Sequence, residues 1–209
     1  MAPTFPSFTK KFHETAYDSL DPSLPSLSAA GKNVVITGGG TGVGAATALR
    51  FAQAGASSIS ILGRRISPLE STKSNIEASV PGARVYVYTT DVTKRDSVST
   101  TFKEIFDSVG GIHIFVNNAG YLSKKLPIKD AEDDEWWHAF EINVRGSFLA
   151  TQAFLHFKAE GAVLINVSSA VSHVSVGPNF SSYNASKEGA VRFFTDVQLE
   201  HPELRVISK

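Results

Sequence analysis

Residues 34–55 of the chain read VVITGGGTGVGAATALRFAQAG, and this stretch determines the expected fold. A β-branched apolar run comes first, a glycine-rich turn follows, and an amphipathic pattern then continues to Gly55. This order predicts a buried strand, a tight turn and a helix that packs back against the strand. The stretch is therefore expected to form the first unit of an alternating β/α fold.

The same alternation continues to the end of the chain. Patterns of a dozen or more residues that are typical of helices separate six short β-rich runs, and the predicted strands are Asn33–Thr37, Ser58–Leu62, Arg84–Tyr88, Ile112–Val116, Ala162–Val167 and Leu204–Ile207. Strands that are nearly continuous in Val and Ile belong to parallel sheets covered on both faces. Right-handed crossovers then predict a doubly wound, three-layer α/β domain of the Rossmann type over residues 31–209.

Residues 1–30 have a different composition. Four prolines interrupt any helical pattern, while three phenylalanines and one tyrosine offer apolar anchors. We interpret this segment as an N-terminal arm that lies on the surface or frays from it.

Composition excludes several classes of function. Twenty basic residues balance twenty acidic ones, so neither nucleic acid nor a membrane surface is expected as a partner. The chain has no cysteine, and its six histidines lack the spacing of a helical metal pair, so no metal site is predicted. The acidic residues of 130–135 are interpreted as a helix start, where negative charge favours the dipole. No apolar run is long enough for a signal peptide or a membrane span, and we expect a cytoplasmic protein.

The glycine-rich turn has the order that a dinucleotide site requires. Gly38 permits a tight turn, Gly42 lets the backbone approach a pyrophosphate, and Gly44 lets the helix pack close to the strand. The phosphates are then expected at the helix N-terminus beside Thr41 and Val43, where unpaired N–H groups favour an anion.

The end of the second predicted strand indicates which cofactor is preferred. Dinucleotide sites usually place an acidic residue here for the ribose 2′-hydroxyl, but the sequence reads Leu62-Gly63-Arg64-Arg65. A guanidinium suits a 2′-phosphate, whereas a carboxylate repels one. Arg64 therefore favours NADP(H) over NAD(H). The alternative is that both arginines are solvated loop cations.

Tyr183 and Lys187 stand four residues apart, so on a helix they share one face. A phenol, with a reference pKa near 10, is a poor base at neutral pH unless nearby positive charge stabilises the phenolate. A fixed ammonium and a bound nicotinamide cation supply such charge, which predicts a proton-transfer pair. The alternative is a chance pair on a solvated helix face.

With these motifs the sequence resembles the short-chain dehydrogenase/reductase family from about Gly31 to Val206. The family's further motifs follow in its order, and they are Thr37–Gly44 for the cofactor turn, Asp91-Val92, Asn117-Asn118-Ala119-Gly120, Asn143, and Ser168-Ser169. The resemblance implies that Asp91 and Val92 lie against the adenine. It also implies that Asn118, Ala119 and Gly120 contact the cofactor.

The resemblance implies an oxidoreductase that interconverts a small-molecule carbonyl and alcohol by hydride transfer. In this scheme Tyr183 is the general acid or base, and Lys187 holds the cofactor ribose and lowers the phenol pKa. Ser169 stabilises the alkoxide and Asn143 anchors a water that leads to Lys187. Ser169 lies one residue further from Tyr183 than is common in the family, which predicts a longer loop and leaves Ser168 as second choice.

The chain departs from the family after its sixth predicted strand. Family members continue with a substrate lid and a seventh strand, whereas this sequence stops at Lys209. The surface through which family members often form tetramers is expected to be missing too. The resemblance therefore leaves open whether this chain forms a homo-oligomer. The alternative function is an NADP(H)-binding or interaction protein whose catalysis is impaired.

Overall fold

A single parallel sheet organises the molecule. The computed structural model describes residues 17–174 and 177–209, so the predicted arm residues 1–16 lie outside the described residues. The sheet has six strands in the order β3-β2-β1-β4-β5-β6, and they are β1 Asn33–Thr37, β2 Ser58–Gly63, β3 Val85–Thr89, β4 Ile112–Asn117, β5 Lys158–Asn166 and β6 Arg205–Ser208. All five pairings are parallel, which confirms the predicted doubly wound sheet.

Helices cover both faces of the sheet. They are α1 Gly42–Gln53, α2 Ile66–Ser79, α3 Arg95–Val109, α4 Asp133–Phe140, α5 Ser147–Phe157 and α6 Ser181–Glu200. One hydrophobic core joins the sheet to α1 and α2, and a second core joins it to α3, α5 and α6. The predicted three-layer architecture is therefore confirmed.

β1 shows why the strands are nearly continuous in apolar residues. Val34 and Ile36 belong to the core with α1 and α2, whereas Val35 belongs to the opposite core. Successive side chains of a strand point to opposite faces, so a strand that is buried on both sides needs an apolar residue at every position.

β5 begins four residues before the predicted position. Its first residue, Lys158, pairs with Ile112, but Val163 pairs with Ile114, so the register shifts within a segment that contains Gly161 at a φ of +65°. Residues 158–161 read Lys-Ala-Glu-Gly, so the irregularly paired start of the strand has no apolar run that would indicate it.

The strand order places the candidate site. β1 pairs with β2 on one side and with β4 on the other, so the winding of the chain reverses between β1 and β4. Ligands of open α/β sheets bind outside the carboxyl ends of the strands at such a switch point. The residues that follow Thr37 and Asn117 are therefore in position to form a binding crevice.

Residues 17–30 run beside α1. Two short 3₁₀ turns, Asp18–Leu20 and Pro25–Leu27, precede Ala29, whose N–H donates to the Ala54 carbonyl at 2.8 Å. Over residues 17–174 and 177–209, we find no helix with the length and apolarity to span a bilayer.

Gly44→Ala is expected to destabilise the fold by about 2 kcal/mol, because overpacking a close contact forces the backbone apart. A Cβ on Gly44 would lie 2.3 Å from the Gly38 carbonyl oxygen and 2.6 Å from Asn118 Nδ2. Gly63→Ala is the control, because a Cβ there meets only ordinary contacts with Leu69, the nearest at 3.5 Å. Urea denaturation gives both free energies of unfolding. Equal losses in the two variants would contradict the close-packing role of Gly44.

Candidate active site

The glycine-rich turn has the geometry of an anion-binding helix start. Gly38 and Gly42 have φ angles of +67° and +54°, values that favour glycine, and a Cβ on Gly42 would have no atom within 4 Å. Thr41 precedes α1 without capping it through its side chain, and Val43 is 60% exposed. The first N–H groups of α1 therefore remain available to a phosphate.

Thr37 and Asn118 join the carboxyl ends of β1 and β4. The buried Thr37 Oγ1 accepts hydrogen bonds from the N–H groups of Asn118 and Ala119, each at 3.0 Å. Asn118 Nδ2 donates back to the carbonyls of Thr37 at 2.8 Å and Gly38 at 3.2 Å. The motif did not indicate this role of the Thr37 hydroxyl, although a threonine at the end of an apolar strand has a hydroxyl in position to bond to the neighbouring strand.

A cleft beside this junction brings six predicted cofactor residues together. It has a volume of about 130 Å³ and is lined by Gly38, Gly63, Arg64, Thr90, Asp91, Val92, Ala119, Gly120 and Ile142. Gly44 and Asn118 contact Gly38 without lining the cleft, and Thr41 precedes α1. These predicted cofactor residues therefore lie together at the ends of β1 and β4 and the start of α1.

Asp91 carries a negative charge in this cleft. Burial by itself raises the pKa of Asp91, but hydrogen bonds from Thr93 and the positive charges of Arg64 and Lys94 together lower it below its ordinary value. The Thr93 N–H and hydroxyl donate to the same carboxylate oxygen at 2.9 and 2.8 Å, which orients the group. The two arginines differ, because Arg64 lines the cleft while Arg65 precedes α2 outside the lining residues.

Tyr183 and Lys187 lie one turn apart on α6, as predicted from their spacing. Lys187 Nζ lies 5.9 Å from the centroid of the Tyr183 ring and donates to the Val167 carbonyl at 2.9 Å. Lys187 is only 8% exposed, and burial lowers the pKa of its ammonium. The carbonyl just after β5 thus fixes a buried cation beside the phenol.

Asn143 lies in a six-residue π-helical segment, Glu141–Gly146, that joins α4 to α5. Its side chain is buried, and Oδ1 accepts from the Tyr121 N–H at 2.8 Å. Nδ2 donates to the Tyr121 carbonyl at 3.0 Å and to Ser186 Oγ at 2.9 Å. π segments inserted in helices are frequent at functional sites, and no sequence pattern indicated this one.

Gly120 connects the cofactor cleft to the catalytic candidates. A Cβ on Gly120 would lie 3.4 Å from Asn143 Oδ1 and 3.6 Å from Lys187 Nζ. Gly120 also lines the cleft that contains Arg64. The cleft and the residues around Tyr183 are therefore parts of one site.

Ser168 and Ser169 follow β5 directly after Val167, so they lie at the same strand end as the Lys187 ammonium. Ser169 Oγ accepts from the Val171 N–H at 3.4 Å and begins a short 3₁₀ turn. Ser168 Oγ shares a hydrogen bond of 3.2 Å with Ser172 Oγ. These bonds keep both hydroxyls within the turn that follows the strand.

Glu135 supports the site in a way that sequence analysis missed. Glu135 lies in the first turn of α4, as predicted. Its carboxylate also accepts hydrogen bonds from Tyr121 Oη at 2.8 Å and from the Lys124 N–H at 2.9 Å. The hydrogen bond to Glu135 raises the pKa of Tyr121, so this second phenol near the site stays protonated. Trp136 follows Glu135, and its indole N–H donates a hydrogen bond to Ser181 Oγ at 3.0 Å. Ser181 lies two residues before Tyr183, so this bond links α4 to the start of α6.

The family model described as short chain dehydrogenase matches residues 32–208. The short chain dehydrogenase tazN of Aspergillus terreus is 36% identical over an alignment of 199 residues, and the alignment covers 92% of this chain and 42% of that protein. The chain spans between 42% and 68% of the length of curated relatives that it matches.

Two solved structures share the fold and contain nicotinamide cofactors. A short chain dehydrogenase from Burkholderia cenocepacia in complex with NADP has a TM-score of 0.78 and 26% identity, covering 84% of this chain and 71% of that one. A short chain dehydrogenase/reductase from Burkholderia phymatum in complex with NAD has a TM-score of 0.80 and 26% identity, and the match covers 87% of this chain and 65% of that one. Together with the family match over most of its length, these likenesses show that the chain belongs to the short-chain dehydrogenase family.

Proposed function

We propose that this chain forms an NAD(P)-dependent oxidoreductase that interconverts a carbonyl and an alcohol of a small molecule. The observation that carries the proposal is the convergence of Gly120, Asn143 and Lys187 beside Tyr183. An ideal Cβ on Gly120 would lie 3.4 Å from Asn143 Oδ1 and 3.6 Å from Lys187 Nζ. Gly120 also lines the cleft that contains Arg64. The residues from Asp91 through Gly120 to Lys187 would hold a dinucleotide, with Tyr183 and Lys187 at the nicotinamide end.

The residues present fit a dinucleotide. Space at Gly42 and the uncapped start of α1 accommodate a diphosphate, and Asp91 and Val92 line the cleft where an adenine is expected. A nicotinamide bound beside Tyr183 supplies or accepts the hydride. The Burkholderia structures with NADP and NAD support a nicotinamide cofactor, and the preference between the two is a separate proposal.

We assign proton transfer to Tyr183. The Lys187 ammonium stabilises the phenolate electrostatically, and its bond to the Val167 carbonyl keeps it beside the ring. A phenol held in this way gives its proton to a carbonyl oxygen during reduction and takes it back from an alcohol during oxidation. Lys187 also has N–H groups left for the cofactor ribose.

Ser169 and Asn143 complete the proposed set. Ser169 donates to the developing alkoxide when its hydroxyl turns away from the local turn, and Ser168 is the second candidate for the same role. Asn143 anchors a water that returns protons to Lys187, consistent with its position near both Gly120 and Lys187.

We further propose that NADP(H) is preferred to NAD(H). Arg64 is the cation that lines the cleft, and a guanidinium binds phosphate oxygens in pairs. The negative charge of Asp91 is already balanced in part by Arg64 and Lys94, so it does not repel a 2′-phosphate as an unpaired carboxylate would.

Tyr183→Phe is expected to lower the rate of NADPH-dependent reduction by at least about 100-fold, because it removes the proton donor. The assay follows NADPH oxidation over a panel of aldehydes and ketones, while fluorescence titration measures NADPH binding, which should stay unchanged. Tyr86→Phe is the matched control, since Tyr86 lies on the edge strand β3. NADPH binding without turnover of any substrate would instead support the impaired, nucleotide-binding alternative.

Arg64→Gln is expected to raise the Kd for NADPH about ten-fold and leave the Kd for NADH unchanged, because it removes one charge-assisted hydrogen bond to the 2′-phosphate. Arg65→Gln is the control, because Arg65 has the same charge but does not line the cleft. Isothermal titration calorimetry measures both constants. Tighter binding of NADH than of NADPH by the unmodified protein would contradict the preference.

Lys187→Met is expected to lower kcat about 100-fold while the fold remains intact, because the substitution removes the ammonium that stabilises the Tyr183 phenolate. Burial lowers the Lys187 pKa below its ordinary 10.5, so the unfolded chain binds more protons in the alkaline range below that value. The unmodified protein should therefore gain stability relative to Lys187→Met as the pH rises through that window. Urea denaturation at a series of pH values tests the sign, and a difference that stays constant with pH would contradict it.

A further inference from the structure

The buried hydroxyl of Ser186 has no part in the function proposed above, yet it lies between two of its elements. We propose that Ser186 is a positioning residue that couples the orientation of the Asn143 amide to the turn of α6 that carries Tyr183 and Lys187. The expected effect of Ser186 on the reaction rate rests on the proposed function. The hydrogen bonds by which Ser186 orients Asn143 do not depend on that function.

Hydrogen-bond directions at Ser186 are fixed by chemistry. Ser186 is 0% exposed, and its Oγ lies 2.9 Å from the Tyr183 carbonyl oxygen and 2.9 Å from Asn143 Nδ2. A carbonyl oxygen only accepts, so the single hydroxyl proton goes to Tyr183. The oxygen of the hydroxyl then accepts from the Asn143 amide.

This arrangement determines which way the Asn143 amide faces. Nδ2 has two protons, and they go to Ser186 Oγ and the Tyr121 carbonyl, while Oδ1 accepts from the Tyr121 N–H. A flipped amide would place its oxygen against the Tyr121 carbonyl and its NH₂ group against the Tyr121 N–H. Ser186 therefore helps to hold the backbone of Tyr121, the residue directly after Gly120.

The same hydroxyl acts on α6. In an α-helix the Tyr183 carbonyl accepts from the Lys187 N–H, so the Ser186 hydroxyl is a second donor to it. Tyr183, Ser186 and Lys187 belong to this one turn, and Asn143 belongs to the π segment. Ser186 thus links the π segment to the turn that bears the proton-transfer pair.

Loss of the hydroxyl should loosen this link without removing any group that touches the reactants. In Ser186→Ala, one N–H of the buried Asn143 amide has no acceptor, so the amide and the Tyr121 backbone are expected to shift. Small displacements of a catalytic group lower the rate more than they lower binding. We expect kcat to fall about ten-fold while the Kd for NADPH stays unchanged.

A double-mutant cycle separates coupling from a general structural effect. If Ser186 acts through Asn143, then Ser186→Ala combined with Asn143→Ala should lower kcat no further than Asn143→Ala alone. Thr195→Ala is the matched control, because Thr195 Oγ1 donates to the Val191 carbonyl at 3.0 Å on an exposed part of the same helix. Additive losses in the double variant, or an equal loss in Thr195→Ala, would overturn the proposal.

Amide hydrogen exchange gives a readout that needs no activity. The Tyr121 N–H should lose protection in Ser186→Ala, because its acceptor is Asn143 Oδ1, while amides in the middle of α3 should keep theirs. Thr195→Ala should change neither. Unchanged protection of Tyr121 in Ser186→Ala would overturn the coupling. Altered protection in a protein that turns over no substrate would support the coupling and reject the proposed function.

Discussion

The junction between the ends of β1 and β4 is the constraint on which the rest of the site depends. Four hydrogen bonds between Thr37, Gly38, Asn118 and Ala119 hold two strands whose following loops leave in different directions. The contact is tight enough that a Cβ on Gly44 would collide with both loops. The start of α1, where we propose that the diphosphate binds, and the wall of the cleft are therefore fixed relative to each other.

Hydrogen bonds carry this constraint from the sheet to the catalytic candidates. Asn117 ends β4, and its Nδ2 donates to Ser147 Oγ at 2.9 Å, while the Ser147 hydroxyl donates to the Asn143 carbonyl at 2.7 Å. The Asn143 side chain then reaches Ser186 on α6 at 2.9 Å. Each of these side chains is buried, so each bond is made in a low-dielectric setting where an unpaired partner is costly. The sheet thus positions the π segment, and the π segment positions the turn with Tyr183.

The fold could be predicted from local sequence patterns, whereas the contacts between distant segments could not. Five strands were predicted to within one residue at each end, and burial of central strands such as β1 and β2 on both faces explains their continuous apolar runs. The glycine spacing located the turn after β1. The start of β5 at Lys158 was missed because its pairing there is irregular. The support roles of Ser186 and Glu135 were missed because each depends on partners from other segments, such as Asn143 and Tyr121. A π segment likewise leaves no periodic signal in so few residues.

Lys187 shows where chemistry and folding oppose each other. A buried ammonium disfavours the folded state unless hydrogen bonds and opposite charge compensate it, and its bond to the Val167 carbonyl compensates only in part, since burial still lowers its pKa. The neighbouring Ala190 and Phe194 show that α6 buries apolar side chains without difficulty on this side. An apolar residue at position 187 would therefore suit the core. Packing does not explain a lysine in that position, but the proton transfer that we propose for Tyr183 does, because a fixed positive charge stabilises the phenolate.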